Sequence, residues 1–283
     1  MGKHSRIWSL DFLRGFAVVA MIFDHMMIDF SYTFDFTGGL LGRLTNFSWL
    51  YLSSPLRTYM HPVFVALFVS ISGICSSFSR NNLLRGAKLF AVALALSAAT
   101  FLFGLIEHDY ADYFIVFGIL HMLSVSILIY ALVTWRGDSK GKSGYDDKST
   151  SVDGERGFKR LMRNIRPVDY IVLALGVVMI ASGIFIERAN IQISTNLFSP
   201  FGIYDGSFTS ADYFPLLPWC GVFFLGAFAG RFFKKGEGSI KPAPRWTKPL
   251  DFVGRHALIM YLAHQVALFG ILYLAAYLTG QAV

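Results

Sequence analysis

Residues 10–30 read LDFLRGFAVVAMIFDHMMIDF, a nearly unbroken apolar run of the length a helix needs to cross the hydrocarbon core of a bilayer. Inside it stand Arg14 and His25. Ionisable side chains in lipid are costly and face a protein interior or a watery cavity, so they point to function. Eleven positions at about 100° each make roughly three turns plus 20°, which places Arg14 and His25 on one face, roughly 16 Å apart along the axis. Asp11, one turn before Arg14, and Asp29, one turn after His25, extend the same polar stripe. Asp24 falls about 100° away from it. The same residues also fit an idle reading, in which Asp11 and Arg14 form an interfacial salt bridge and His25 caps the outer end of the helix.

Of the 283 residues, 54% are hydrophobic and 16% aromatic, and the mean hydropathy is +0.52, values foreign to a soluble domain of this size. Apolar runs of about 20 residues recur at roughly 10–30, 57–79, 86–106, 114–135, 168–186, 214–233 and 255–278. The expectation is an all-α, polytopic bundle of about seven spans. Period-2 alternation is absent, which argues against a transmembrane barrel. No cleavable signal peptide is expected, because the first run is too long and too charged for one.

Lys and Arg set the orientation. With a cytoplasmic N-terminus, 22 of the 25 basic residues fall on the inner side, leaving Arg43, Arg57 and Arg188 outside. The C-terminus is then outside. The net charge of +7 follows from these inner loops beside an anionic leaflet and needs no nucleic acid. Cys75 and Cys220 lie in apolar runs and read as packing residues.

Residues 1–283 are expected to form one membrane domain interrupted by a flexible cytoplasmic loop at 136–167, whose centre is polar and rich in Gly and Ser. FKRLMRNIRP, at its end, has the pattern of a short basic surface helix. The aromatic segments 31–54 and 187–213 are long for loops in a compact bundle and are expected as lids on the outer side. Gly226 and Gly230 form a G-x-x-x-G that reads as a packing notch.

Histidine carries most of the chemical information. His25, His61 and His121 all fall toward the outer half of their spans, and imidazole exchanges protons near neutral pH. Asp29 is positioned to hold one ring nitrogen of His25 and leave the other for a substrate, the base-plus-orienter arrangement of acyl transfer. His121 and His264 serve equally well as helix-to-helix hydrogen-bonding residues. No metal is expected: convergence of His25, His61 and His121 on zinc lacks any close ligand pair such as H-x-x-x-H.

The segments RIWSLDFLRGFAVVAMIFDH, FVALFVSISGICSSFS, FGILHMLSVSILI, ADYFPLLPWCGVFFLGAFAG and GRHALIMYLAHQ, in that order, resemble prokaryotic members of the heparan-alpha-glucosaminide N-acetyltransferase catalytic-domain family. The spacing of Arg14 and His25 is similar to the Arg/Lys, ten residues, His motif of the wider transmembrane acyltransferase superfamily. The resemblance implies a multi-pass protein of a prokaryotic cell membrane. It would take an acyl group, acetyl by analogy, from cytoplasmic acyl-CoA to an amino or hydroxyl group of an extracytoplasmic sugar or glycan. On that basis His25, with Asp29, His61 and His121, is the catalytic set, His25 acting as general base or acyl carrier. Arg14, Asp11 and His264 are assigned to binding acetyl-CoA. A homodimer is compatible with the sequence, which does not select one. The competing reading is a transporter or channel that uses the Arg14/His25/Asp29 stripe as a path for a small solute or protons.

Overall fold

The computed structural model describes residues 7–107, 113–138, 166–191, 193–232 and 244–281. His4, His108, most of the 136–167 loop and the basic segment at 158–165 lie outside the described residues. Among the described residues every regular element is helical, and a single isolated bridge pairs Gly118 with Tyr213. The helices are α1 (Trp8–Ile28), α2 (Gly39–Leu52), α3 (Pro55–Phe78), α4 (Asn82–Glu107), α5 (Ile119–Asp138), α6 (Pro167–Ala189), α7 (Leu216–Ala229), α8 (Lys248–Arg255) and α9 (Ala257–Thr279).

Each apolar run of the sequence contains a helix. Four of them, α3, α4, α6 and α9, are long and apolar enough to cross a membrane. The first, α1, has 21 residues but carries Asp11, Arg14 and Asp24. The apolar stretches of α5 and α7 are shorter. The protein is an all-α integral membrane protein.

The described residues group into two compact units, residues 1–68 with 235–283 and residues 69–234. In the first, α1 does not end as an α-helix. It widens into a π-helical turn, Asp29–Phe34, closed by Asp35 in the left-handed conformation. Such turns leave backbone groups in altered register, and the Thr45 hydroxyl of α2 donates to the Phe30 carbonyl within this one at 3.2 Å. Met27, Phe30, Phe34 and Phe36 pack there with Leu272 and Ala276 of α9, flanked by Leu41, Leu44 and Tyr51 of α2. Residues 31–54, expected as a lid, therefore fold into a turn and a helix that share the core of this unit. Ser54 and Pro55 start α3 in the usual order of cap and first-turn proline, the Ser54 hydroxyl accepting from the Arg57 N–H at 3.2 Å.

At the other end of α1, Gly15 meets Gly254 of α8. A Cβ on Gly254 would stand 2.9 Å from the Gly15 nitrogen, and one on Gly15 would strike the Leu250 carbonyl. Only glycine at both positions lets the two backbones approach this closely.

The second unit contains the C-terminal half of α3 and helices α4 to α7. The G-x-x-x-G of α7 is a packing notch, as its spacing predicts: Cβ atoms at Gly226 and Gly230 would collide with Ser70 and Ser77 of α3. Cys75 and Cys220 are not joined in a disulfide.

Candidate active site in the first unit

The half-buried His25 donates Nδ1–H to the Met21 carbonyl one turn back, at 2.9 Å. A carbonyl only accepts, so this bond fixes the proton on Nδ1 and leaves Nε2 as the basic nitrogen of the neutral ring. Facing it is His264 of α9, ring centroids 5.0 Å apart and the planes at 76°. His264 repeats the pattern, its Nδ1 donating to the Tyr261 carbonyl at 2.5 Å, and its buried Nε2 has no hydrogen-bond partner. Two imidazoles thus stand edge to face, each with its tautomer set by its own helix.

Asp29 does not hold His25, because the Met21 carbonyl already takes the His25 Nδ1–H. It lies in the π-turn, 2% exposed, where its Oδ1 accepts from Gln265 Nε2 at 2.8 Å. Asp29 Oδ2 and Gln265 Oε1 are both buried without a hydrogen-bond partner. Together with His264 Nε2 they are acceptors, the complement of a ligand that donates N–H or O–H groups.

Asp24, off the polar stripe, meets Tyr51, Arg57 and His61. It is 4% exposed, and Arg57 of α3 grips it with both prongs, Nε to Oδ1 at 3.0 Å and Nη2 to Oδ2 at 3.1 Å. The Tyr51 hydroxyl of α2 donates to Oδ1 at 3.1 Å, and His61 Nε2 lies 3.9 Å from Oδ2. The bidentate pair is the geometry that best offsets the cost of burying both charges. Burial, then the neighbouring Asp24 carboxylate, pushes the Tyr51 phenol up to about 12, so it stays a neutral donor. This hub fixes α1 to α2 and α3 one residue before His25.

Sequence spacing missed the hub because Tyr51 and Arg57 lie 27 and 33 residues from Asp24. A signal was nevertheless present: Arg57 is among only three basic residues on the expected outer side.

At the N-terminal end of α1, Arg14 Nη1 stands 3.5 Å from Asp11 Oδ1 and donates to the Gly254 carbonyl at 3.4 Å, while Arg255 Nε is 3.7 Å from Asp11 Oδ2. Asp11, Arg14, His25, Asp29, His61 and His264 all belong to the first unit. His121 belongs to the second, where it is 4% exposed. Its Nδ1 accepts from the Gly118 N–H at 3.3 Å, which puts the ring proton on Nε2, 3.4 Å from the Ser97 hydroxyl. Both of its nitrogens are engaged. Among the described residues no cluster of three or more His, Cys, Asp or Glu is arranged to hold a metal ion.

In this integral membrane protein, α1 and the turn that follows it carry a tautomer-fixed imidazole between two buried aspartates, Asp24 and Asp29. The family description "Heparan-alpha-glucosaminide N-acetyltransferase, catalytic" matches residues 6–139 and 161–266, and the chain belongs to that family of membrane acetyltransferases. No curated protein and no solved structure matches it.

Proposed function

We propose that this protein transfers an acetyl group from cytoplasmic acetyl-CoA to an amino or hydroxyl group of an extracytoplasmic sugar, with His25 as the general base. The observation that carries this reading is the His25 Nδ1–H bond to the Met21 carbonyl, which reserves Nε2 for accepting a proton. The acceptor's N or O attacks the thioester carbonyl while Nε2 takes its proton. The tetrahedral adduct then collapses with cleavage of the C–S bond, and the leaving thiolate of CoA takes up a proton. A neutral imidazole with a free Nε2 lone pair is the form that accepts a proton.

Arg14, at the opposite end of α1, meets the phosphates or pantetheine of the donor, and the extended pantetheine arm lies along the helix toward His25. Holding donor and acceptor in line accounts for much of the acceleration such a site needs. Asp24, with Arg57 and Tyr51, positions His25 through the backbone of α1. Asp29, Gln265 and His264 receive hydrogen bonds from the acceptor. His61 lies beside the Asp24 carboxylate as a second proton acceptor, and His121 is structural.

The test is release of CoA thiol by the full chain in nanodiscs, supplied with acetyl-CoA and a panel of amino sugars. Release that requires both substrates and disappears in a folded His25→Ala protein supports the reading. Gradient-driven solute flux without thiol release would replace it with the transporter.

A further inference from the structure

The segment from Pro244 to Arg255 presents a surface to which the proposed transfer assigns no residue. On α8, Lys248, Phe252 and Arg255 follow at i, i+4 and i+7 and so share one face, all three exposed. Arg245 and Trp246, in the 3₁₀ turn before the helix, and His256, just after it, are exposed as well. Trp246 is 70% and Phe252 55% exposed, large values for rings beside cations. Trp246 is nevertheless held in place, edge-on to Phe12 of α1 at 5.5 Å, and Phe252 carries the His256 ring at 4.5 Å.

The sole acid of the segment, Asp251, is turned inward. It is 2% exposed and accepts from the Thr247 hydroxyl at 3.1 Å. The outer face is therefore basic and aromatic with no exposed carboxylate of its own. One residue beyond it begins α9, a helix long and apolar enough to span a membrane. Cations at a span boundary pair with lipid phosphates, and Trp and Phe rings rest at headgroup depth. A soluble phosphate would satisfy the cations but leave both rings in water. We infer that this face of α8 binds anionic phospholipid, its cations on the headgroups and Trp246 and Phe252 in the interface.

The contact bears on the rest of the unit because α8 is locked to α1 through Gly15 and Gly254, and Arg255 lies beside Asp11.

The test is native mass spectrometry of the full chain released from nanodiscs of phosphatidylcholine with phosphatidylglycerol, comparing wild type with Arg245→Gln/Lys248→Gln. These two exposed side chains lie away from the Asp11 and Asp24 ion pairs, and an unchanged melting temperature checks the fold. Wild type should retain phosphatidylglycerol over phosphatidylcholine. The double variant should lose affinity by about fivefold for each cation removed. Equal retention of the two lipids, undiminished retention by the variant, or displacement of lipid by adenosine 3′,5′-bisphosphate would overturn the inference, the last in favour of a soluble phosphate ligand.

Discussion

His25 and His264 stand edge to face, 5.0 Å between ring centroids, and each donates its Nδ1 hydrogen to a carbonyl of its own helix. The pair presents two Nε2 lone pairs and no ring N–H donor. A site built of acceptors favours a substrate that arrives with its own hydrogens, which suits abstraction of a proton from an amine or hydroxyl.

His25→Ala should therefore lower kcat by about 10²–10⁴-fold with little change in melting temperature, since the side chain is half-buried and bonded only to its own helix. Steady-state kinetics and a thermal melt on the same preparation check this. A large loss of stability that accounts for the lost activity would instead make His25 a structural residue.

The Asp24–Arg57 pair answers differently. Arg57→Ala leaves a nearly fully buried carboxylate with Tyr51 as its closest remaining donor, a cost of about 3–5 kcal/mol. Asp24→Asn/Arg57→Gln should recover part of it, and a double-mutant cycle by denaturation measures the coupling.

Tyr51 gives the pH-dependent prediction. Its phenol is raised from 10.0 to about 12 in the folded protein, chiefly by burial. An acid whose folded value is raised contributes stability that is complete below pH 10 and is lost as pH rises toward 12. Tyr51→Phe should accordingly flatten the alkaline fall in melting temperature over that window. An unchanged alkaline slope would contradict the assignment.

Gly15→Val should prevent α1 and α8 from meeting, because its side chain would run into the Leu250 carbonyl. Gly270→Ala is the control: a Cβ there meets nothing within 4 Å, and the protein should melt at or above the wild-type temperature. Fluorescence-detected size exclusion separates the two outcomes.

The helical, membrane-spanning class was legible in the sequence because the apolar runs are local and continuous, four of them forming helices long and apolar enough to cross a membrane. The helix α1 itself was legible for the same reason, its apolar spacing being local. The π-turn at Asp29–Phe34 was not, since apolar periodicity alone does not distinguish a widened turn from a regular one. Its consequence reached the site: Asp29, expected to orient His25, is instead taken by Gln265, 236 residues away in sequence. The Asp24 hub escaped for a related reason, its partners coming from α2 and α3. Contacts between helices distant in sequence leave no spacing signature within either one.

The kinetic order separates a base from an acyl carrier. With His25 as base, double-reciprocal plots of rate against acetyl-CoA at several acceptor concentrations should intersect. Parallel lines would assign an acetyl-histidine intermediate.

The most direct test places acetyl-CoA labelled in its acetyl group on one side of vesicles containing the protein and an amino sugar on the other. Transfer through the protein should give labelled acceptor on the far side, with one CoA formed on the near side for each acetyl transferred, and neither with His25→Ala. Unlabelled acceptor with folded wild-type protein, or equal labelling by the variant, would contradict it.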